Sequence, residues 1–395
     1  METQERARLS DPLHLAQELI RCRSVTPHDA GALDVLQRAL EAIGFECHRL
    51  PFDSGGPMIE NLYARKGRSG PNFCFAGHTD VVPPGDVSSW RFDPFEARVD
   101  GGTLFGRGAA DMKSAIAAFV AAVSRLGNQL DDRGSVSLLI TGDEEGTAVD
   151  GTVRVLEWLA ERQEKLDHCI VGEPTAEFSA GDTVKTGRRG SLTANLVVQG
   201  AQGHVGYPER ANNPIPGLAA VLVRLTGRRL DEGNAAFQRS NLEVTTVDVG
   251  NPASNVIPAS ARATFNIRFN TEQTAEGLER WIESEIEAGL APFKLAHDVK
   301  FTRGAHPFLT QPGTFTTLIG RAVEKVTGSQ PKLSTTGGTS DARFIHAYCP
   351  VAEIGLAGTT MHKTDECARL SDLEHLTQIY QEILSSYFRS NGAQR

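Results

Sequence analysis

Three short apolar runs, Asn72–Ala76, Ser135–Thr141 and His168–Val171, are each bounded by glycine or a charged residue. Runs of that length and composition read as strands buried on both faces. Between the first two lies Met112–Leu126, alanine-rich and apolar at helical spacing. Alternation of strand, helix and strand predicts an α/β layer around a mostly parallel central sheet flanked by helices. Upstream, Ser10-Asp11-Pro12 has the form of a helix start. A second helix is expected over Ala32–Ile43, stopped by Gly44, and the chain closes on a helix over Leu373–Phe388.

The pattern changes near Lys185. Over Ser191–Gln199 the residues Leu192, Ala194, Leu196 and Val198 alternate with Thr193, Asn195 and Gln199, the period of a half-buried strand. A helical stretch around Ala219–Leu225, strands at Leu242–Val249 and Ala263–Phe269, an amphipathic helix Ala275–Ala288 and a strand Asp298–Thr302 follow. The order β-α-β-β-α-β resembles a ferredoxin-like unit. The expected organisation is therefore one α/β domain, residues 1–184 and 301–395, with an inserted α+β domain over 185–300.

Composition removes several classes of function. With 40 Lys+Arg against 49 Asp+Glu the net charge is −9, whereas a nucleic-acid binder carries a basic surplus. No two of the six cysteines have CxxC spacing, which argues against a zinc ribbon or a thioredoxin-type motif. Met1–Ser10 is polar and charged, and no run approaches the ~20 apolar residues of a membrane span. The expectation is a soluble, reduced, cytoplasmic protein with no nucleic-acid or membrane partner.

Chemistry-bearing residues gather where the strands end. Gly77-His78-Thr79-Asp80 follows the first run. Residues two apart on a strand share a face, and the C-terminal edge of an open α/β sheet is where ligands bind. A metal-bound histidine needs a partner for its other ring nitrogen, which Asp80 can supply; Asp80 can also be a ligand itself. Gly106-Arg107-Gly108-Ala109-Ala110-Asp111 precedes the alanine-rich helix. Asp111 there is either a helix cap or a functional carboxylate. A dinucleotide loop is the rival reading, and the pattern argues against it, because Asp111 stands where the third glycine belongs and would repel a pyrophosphate. Asp143-Glu144-Glu145 follows the second run, Gly172-Glu173-Pro174 the third, and Met361-His362-Lys363 lies in a loop before the last helix. Taken alone, His78 reads as a structural histidine, Asp143-Glu144-Glu145 as a solvated acidic turn and His362 as a surface histidine, and Gly172-Glu173-Pro174 is weak. Together, His78, Asp80, Asp111, Glu144, Glu145, Glu173 and His362 form a histidine–carboxylate set suited to zinc, and to a two-metal hydrolytic site.

The stretches GHTDVVPPGD, LFGRGAADMKSAIAAF, DEEG, VGEPT, KTGRRGSLTANLVVQGAQGHVGYPERANNP, SNVIPA, TTGGTSDARFI and MHKTDE together resemble the dizinc aminoacylase/glutamate-carboxypeptidase hydrolases, in order from about His78 to the C-terminus. The resemblance implies a zinc-exopeptidase-like catalytic domain and two Zn²⁺ per subunit, with Co²⁺ able to substitute. His78, Asp111 and Glu173 would hold one zinc. Asp111, Glu145 and His362 would hold the other, with Asp111 bridging. Asp80 would orient His78, and Glu144 would act as general base and acid. His204 would stabilise the oxyanion in the partner subunit of a homodimer built through the inserted domain. Arg188, Tyr207, Asn255, Arg268, Gly338 and Thr339 would contact an anionic N-acyl amino acid. The GRRGSLT, GHVGYP, NNP and TTGGTSDARFI stretches point to members that release succinate from N-succinyl-LL-2,6-diaminopimelate. A deacetylase, aminoacylase or dipeptidase with the same metal set is the alternative.

Overall fold

The computed structural model describes residues 2–130 and 133–392. The chain divides into two compact units, Met1–Thr186 with Thr310–Ser334 and Ser340–Arg395, and Gly187–Leu309 with Thr335–Thr339.

An eight-stranded sheet centres the first unit. Its order is Glu46–Arg49, Leu62–Lys66, Ser135–Thr141, Asn72–His78, His168–Val171, Val351–Glu353, Thr183–Lys185 and Lys332–Ser334. The four strands from Ser135–Thr141 to Val351–Glu353 run parallel. Leu62–Lys66 joins antiparallel on one side and Thr183–Lys185 on the other. Every residue of Asn72–His78 and Ser135–Thr141 is buried, as a parallel sheet covered on both faces demands. The helix Lys113–Leu126 is buried at every position but Arg125, because it packs between Pro12–Arg21 and Leu370–Gly392. Phe119 on that helix stacks on Phe75 of the central strand at 4.5 Å, and Tyr380 closes on both edge-on at 5.7 Å.

Register places the motifs together. His78 pairs with Thr141 and Ala76 with Val171, so three neighbouring strands end at one edge and release their loops there. The helix after Asp111 starts at Lys113, with Met112 at its cap position and no side-chain cap. The capping alternative for Asp111 is thereby removed, and its carboxylate is left for other partners. Asp11 does cap the helix Pro12–Arg21, accepting the Leu13 N–H at 3.0 Å. At Gly355 the packing leaves no room for a side chain: a Cβ would collide with the Glu173 carbonyl oxygen.

The second unit is a four-stranded antiparallel sheet ordered Asn241–Asp248, Ser260–Phe269, Gly190–Gln199, Ala296–Ala305, with helices Pro214–Gly227 and Ala275–Leu290. Both the element order and the sheet order are those of a ferredoxin-like unit. Leu192, Ala194, Leu196 and Val198 share a core with Ala263, Phe265, Ile267 and Phe269. Pairing with Gly190–Gln199 carries the last strand to Ala305. A boundary near residue 301 would cut that strand, and the division falls after Leu309 instead. Among the described residues no helix is long and apolar enough to cross a membrane.

Candidate metal centre

The strand carrying His78 ends at that residue, and the imidazole is held from both sides. Nδ1 lies 2.8 Å from the Asp80 carbonyl oxygen and Nε2 lies 3.2 Å from Asp111 Oδ1. The Asp80 carboxylate is farther from Nδ1, at 3.6 Å. It accepts instead the Glu144 N–H at 3.3 Å and the Glu145 N–H at 3.0 Å. Asp80 therefore meets His78 through its backbone carbonyl and the neighbouring acidic turn through its side chain. The chain leaves the strand at His78, which turns the carboxylate toward that turn.

The three consecutive acids after Gly142 separate by role. The Asp143 carboxylate points inward and accepts N–H groups from Thr147 (2.9 Å), Val149 (3.0 Å) and Asp150 (3.2 Å). Glu144 and Glu145 are left to face the other motifs. His362 Nε2 lies 2.8 Å from Glu145 Oε1 and 3.1 Å from Asp111 Oδ2. Asp111 thus presents one oxygen to each histidine. Glu173 Oε1 lies 3.9 Å from His78 Nε2 and is buried without a hydrogen-bond partner. The His362 backbone is left-handed, with φ of 61°, a conformation few non-glycine residues adopt.

Electrostatics describe a cluster short of positive charge. Burial pushes the Glu144 carboxyl up to about 8, with Asp341, Glu145 and Asp111 adding to the shift against the lowering effect of His78. Burial likewise drives Glu173 well above the carboxylate range, reinforced by Asp111 and Glu144. Burial opposes ionisation of Asp111 too, yet hydrogen bonds from His362 and His78 outweigh it and hold its carboxyl below the usual range. Hydrogen bonds to Asp111 and Glu145 lift the His362 imidazole to about 10. Carboxylates crowded in a buried site call for cations between them.

His78, Glu144 and Glu173 each bring a donor atom within 4.8 Å of one another, as do His78, Asp111 and Glu145. Imidazole nitrogens and carboxylate oxygens suit divalent transition metals. The unpartnered Glu173 oxygen and the divided Asp111 carboxylate fit a pair of such ions.

The remaining sequence candidates lie in the second unit. Arg188 is buried and donates to the Thr336 carbonyl at 3.2 Å, which places it beside the segment carrying Gly338 and Thr339. Arg268 stands on the non-core face of the sheet, paired in register with Ser191 and Asn241. His204 is exposed; its Nδ1 accepts the Gly206 N–H at 3.0 Å, and its ring is 5.9 Å from Tyr207. The next residue, Val205, donates to the Asn255 carbonyl at 3.1 Å, so His204, Tyr207 and Asn255 form one surface cluster. Asp341 and the pair Arg107–Glu366, buried around the first unit's site, were not singled out in the sequence. The motifs TSDAR, GRG and MHKTDE contain them, but nothing local distinguishes a buried acid from a solvated one.

Residues 74–386 match the family model for peptidase family M20/M25/M40. A succinyl-diaminopimelate desuccinylase of Parvibaculum lavamentivorans is 55% identical over 384 residues, covering 97% of this chain and 97% of its own length. One from Maricaulis maris is 57% identical over 383 residues, covering 96% of this chain and 97% of its own. Among solved structures, a dinuclear metal binding peptidase of the M20 family from Bacillus subtilis superposes with a TM-score of 0.72 at 17% identity, over 98% of this chain and 99% of that one.

Proposed function

The chain belongs to peptidase family M20/M25/M40, and from that premise we propose that it hydrolyses N-succinyl-LL-2,6-diaminopimelate to succinate and LL-2,6-diaminopimelate. Relatives over half identical along their full length carry the desuccinylase name, which supports this substrate over other N-acyl amino acids. For the chemistry, the observation that carries the reading is Asp111, whose two oxygens face two different histidines.

His78, Asp111 and Glu173 would hold one Zn²⁺, and Asp111, Glu145 and His362 the other; Co²⁺ suits the same ligands. When bound, the ions supply a water of lowered pKa and a positive field for the amide oxygen. Glu144 is the proton carrier. Cations offsetting the neighbouring carboxylates would favour its ionised form; that carboxylate takes a proton from the water as oxygen bonds to the succinyl carbon, and returns it to the nitrogen as the C–N bond breaks. Asp80 keeps Glu144 and Glu145 in place through their backbone N–H groups. Arg188 and Arg268 are suited to substrate carboxylates, which guanidinium forks bind bidentately. Tyr207, Asn255, Gly338 and Thr339 complete the substrate contacts in this reading. His204 would donate to the developing oxyanion in the partner subunit of a cytoplasmic homodimer formed through the second unit.

The test is turnover of N-succinyl-LL-2,6-diaminopimelate with and without a chelator, beside N-acetylornithine and a dipeptide. Chelator-sensitive release of succinate is expected. Faster cleavage of either control than of the succinyl substrate would assign the chain to another activity in the family.

A further inference from the structure

Glu366 lies four residues beyond His362 and has no part in the roles given above. Its side chain is fully buried, and all of its acceptor capacity is directed at one loop. Oε1 accepts the N–H groups of Gly108 (3.1 Å), Ala110 (2.9 Å) and Asp111 (3.0 Å). The Glu366 carbonyl accepts the Gly106 N–H at 2.9 Å. Oε2 lies 2.6 Å from Arg107 Nη1 in the same loop. Arg107 is buried in turn; it reaches the Lys363 carbonyl at 3.3 Å and the Pro83 carbonyl at 3.4 Å, and its guanidinium lies 5.1 Å over the Trp90 ring.

Converging N–H groups make a concavity that binds anions. Here the chain's own carboxylate fills it. A buried ion pair is a poor way to gain stability alone, since apolar side chains of the same volume do as well. What an apolar replacement cannot do is fix a peptide plane. Three N–H groups on one oxygen set the plane that enters Asp111, and with it the direction in which the Asp111 carboxylate leaves the backbone. That carboxylate must meet His78 with one oxygen and His362 with the other. Glu366 thus links the loop bearing Asp111 to the segment bearing His362.

We propose that Glu366 is a positioning residue that, with Arg107, fixes the spacing of the two cation positions shared through Asp111 and so sets the affinity for the second cation. The inference rests on the two-cation reading above. It is tested by stripping the full-length protein with a chelator and titrating wild type, Glu366→Gln and Arg107→Lys with Co²⁺, following heat and the visible absorption of the bound ion. In Glu366→Gln an amide donor opposes the Arg107 guanidinium. The gap between the stepwise constants is expected to widen about 10–100-fold, the usual effect of removing a group that orients a ligand. Arg107→Lys keeps the charge but loses the fork, and an intermediate widening is expected.

Two-step isotherms identical to wild type in both variants would overturn the proposal, whatever happens to the melting temperature. Should Glu366→Gln fail to fold, Arg107→Lys decides on the same terms. A wild-type protein that saturates at one Co²⁺ per chain or fewer would overturn the two-cation reading instead.

Discussion

Asp143 and Glu144 are adjacent in sequence and opposite in purpose. Asp143 spends its carboxylate on three backbone N–H groups of its own turn, whereas Glu144 faces the metal centre with its carboxyl raised by burial. Substitutions should separate them. Glu144→Gln is expected to keep both cations and the wild-type melting temperature while kcat falls by about 10²-fold or more, the range of a lost general base. Asp143→Ala leaves buried N–H groups unpaired, each worth about 1–3 kcal/mol, and should lower stability markedly. Metal analysis and denaturant melts of the purified variants check both. Loss of a cation in Glu144→Gln would make Glu144 a ligand, in line with its place beside His78 and Glu173.

At the level of elements, the strand His168–Val171 carries a titratable group unconnected with catalysis. His168 lies 4.6 Å from the Phe315 ring, with Nδ1 3.0 Å from the Tyr387 hydroxyl. Burial lowers its imidazole below the ordinary 6.5. Below that value the unfolded chain binds a proton that the folded chain refuses. The contribution of His168 to stability is therefore intact above about pH 6.5 and is lost as the pH falls toward the folded value. His168→Gln should flatten the decline of stability on the acid side. Urea melts at a series of pH values report it, and an unaltered slope would assign the decline to other groups. The parallel strands themselves need no such test. Short apolar runs ending on glycine specify them locally, and their register brings His78, Glu144 and Glu173 to one edge.

For the whole molecule, two separate hydrophobic cores, one around Phe75, Phe119 and Tyr380 and one around Phe265, Ile267 and Phe269, imply two unfolding transitions rather than one. Every proposed cation ligand belongs to the first unit. A ligand that binds only the folded state raises that state's stability alone. Chelation should lower the first unit's transition and leave the second in place. Scanning calorimetry with and without chelator measures it, and equal displacement of both transitions would contradict independent units.

The sequence by itself determined what is encoded over a few residues: the buried strands, the ferredoxin-like order of the second unit, and the histidine–carboxylate motifs at strand ends. Periodicity and chain stereochemistry are local, so they are legible without a fold. Only the tertiary structure decided which groups each acid meets. Asp111 caps no helix and presents one oxygen to each histidine, and Asp80 meets His78 through its carbonyl. Asp143 turned inward, and Glu366 was buried against the Asp111 loop. Those roles depend on which N–H groups and imidazoles arrive from distant parts of the chain. A carboxylate's place in a desolvated network is set by the partners that folding brings to it, not by its neighbours in sequence.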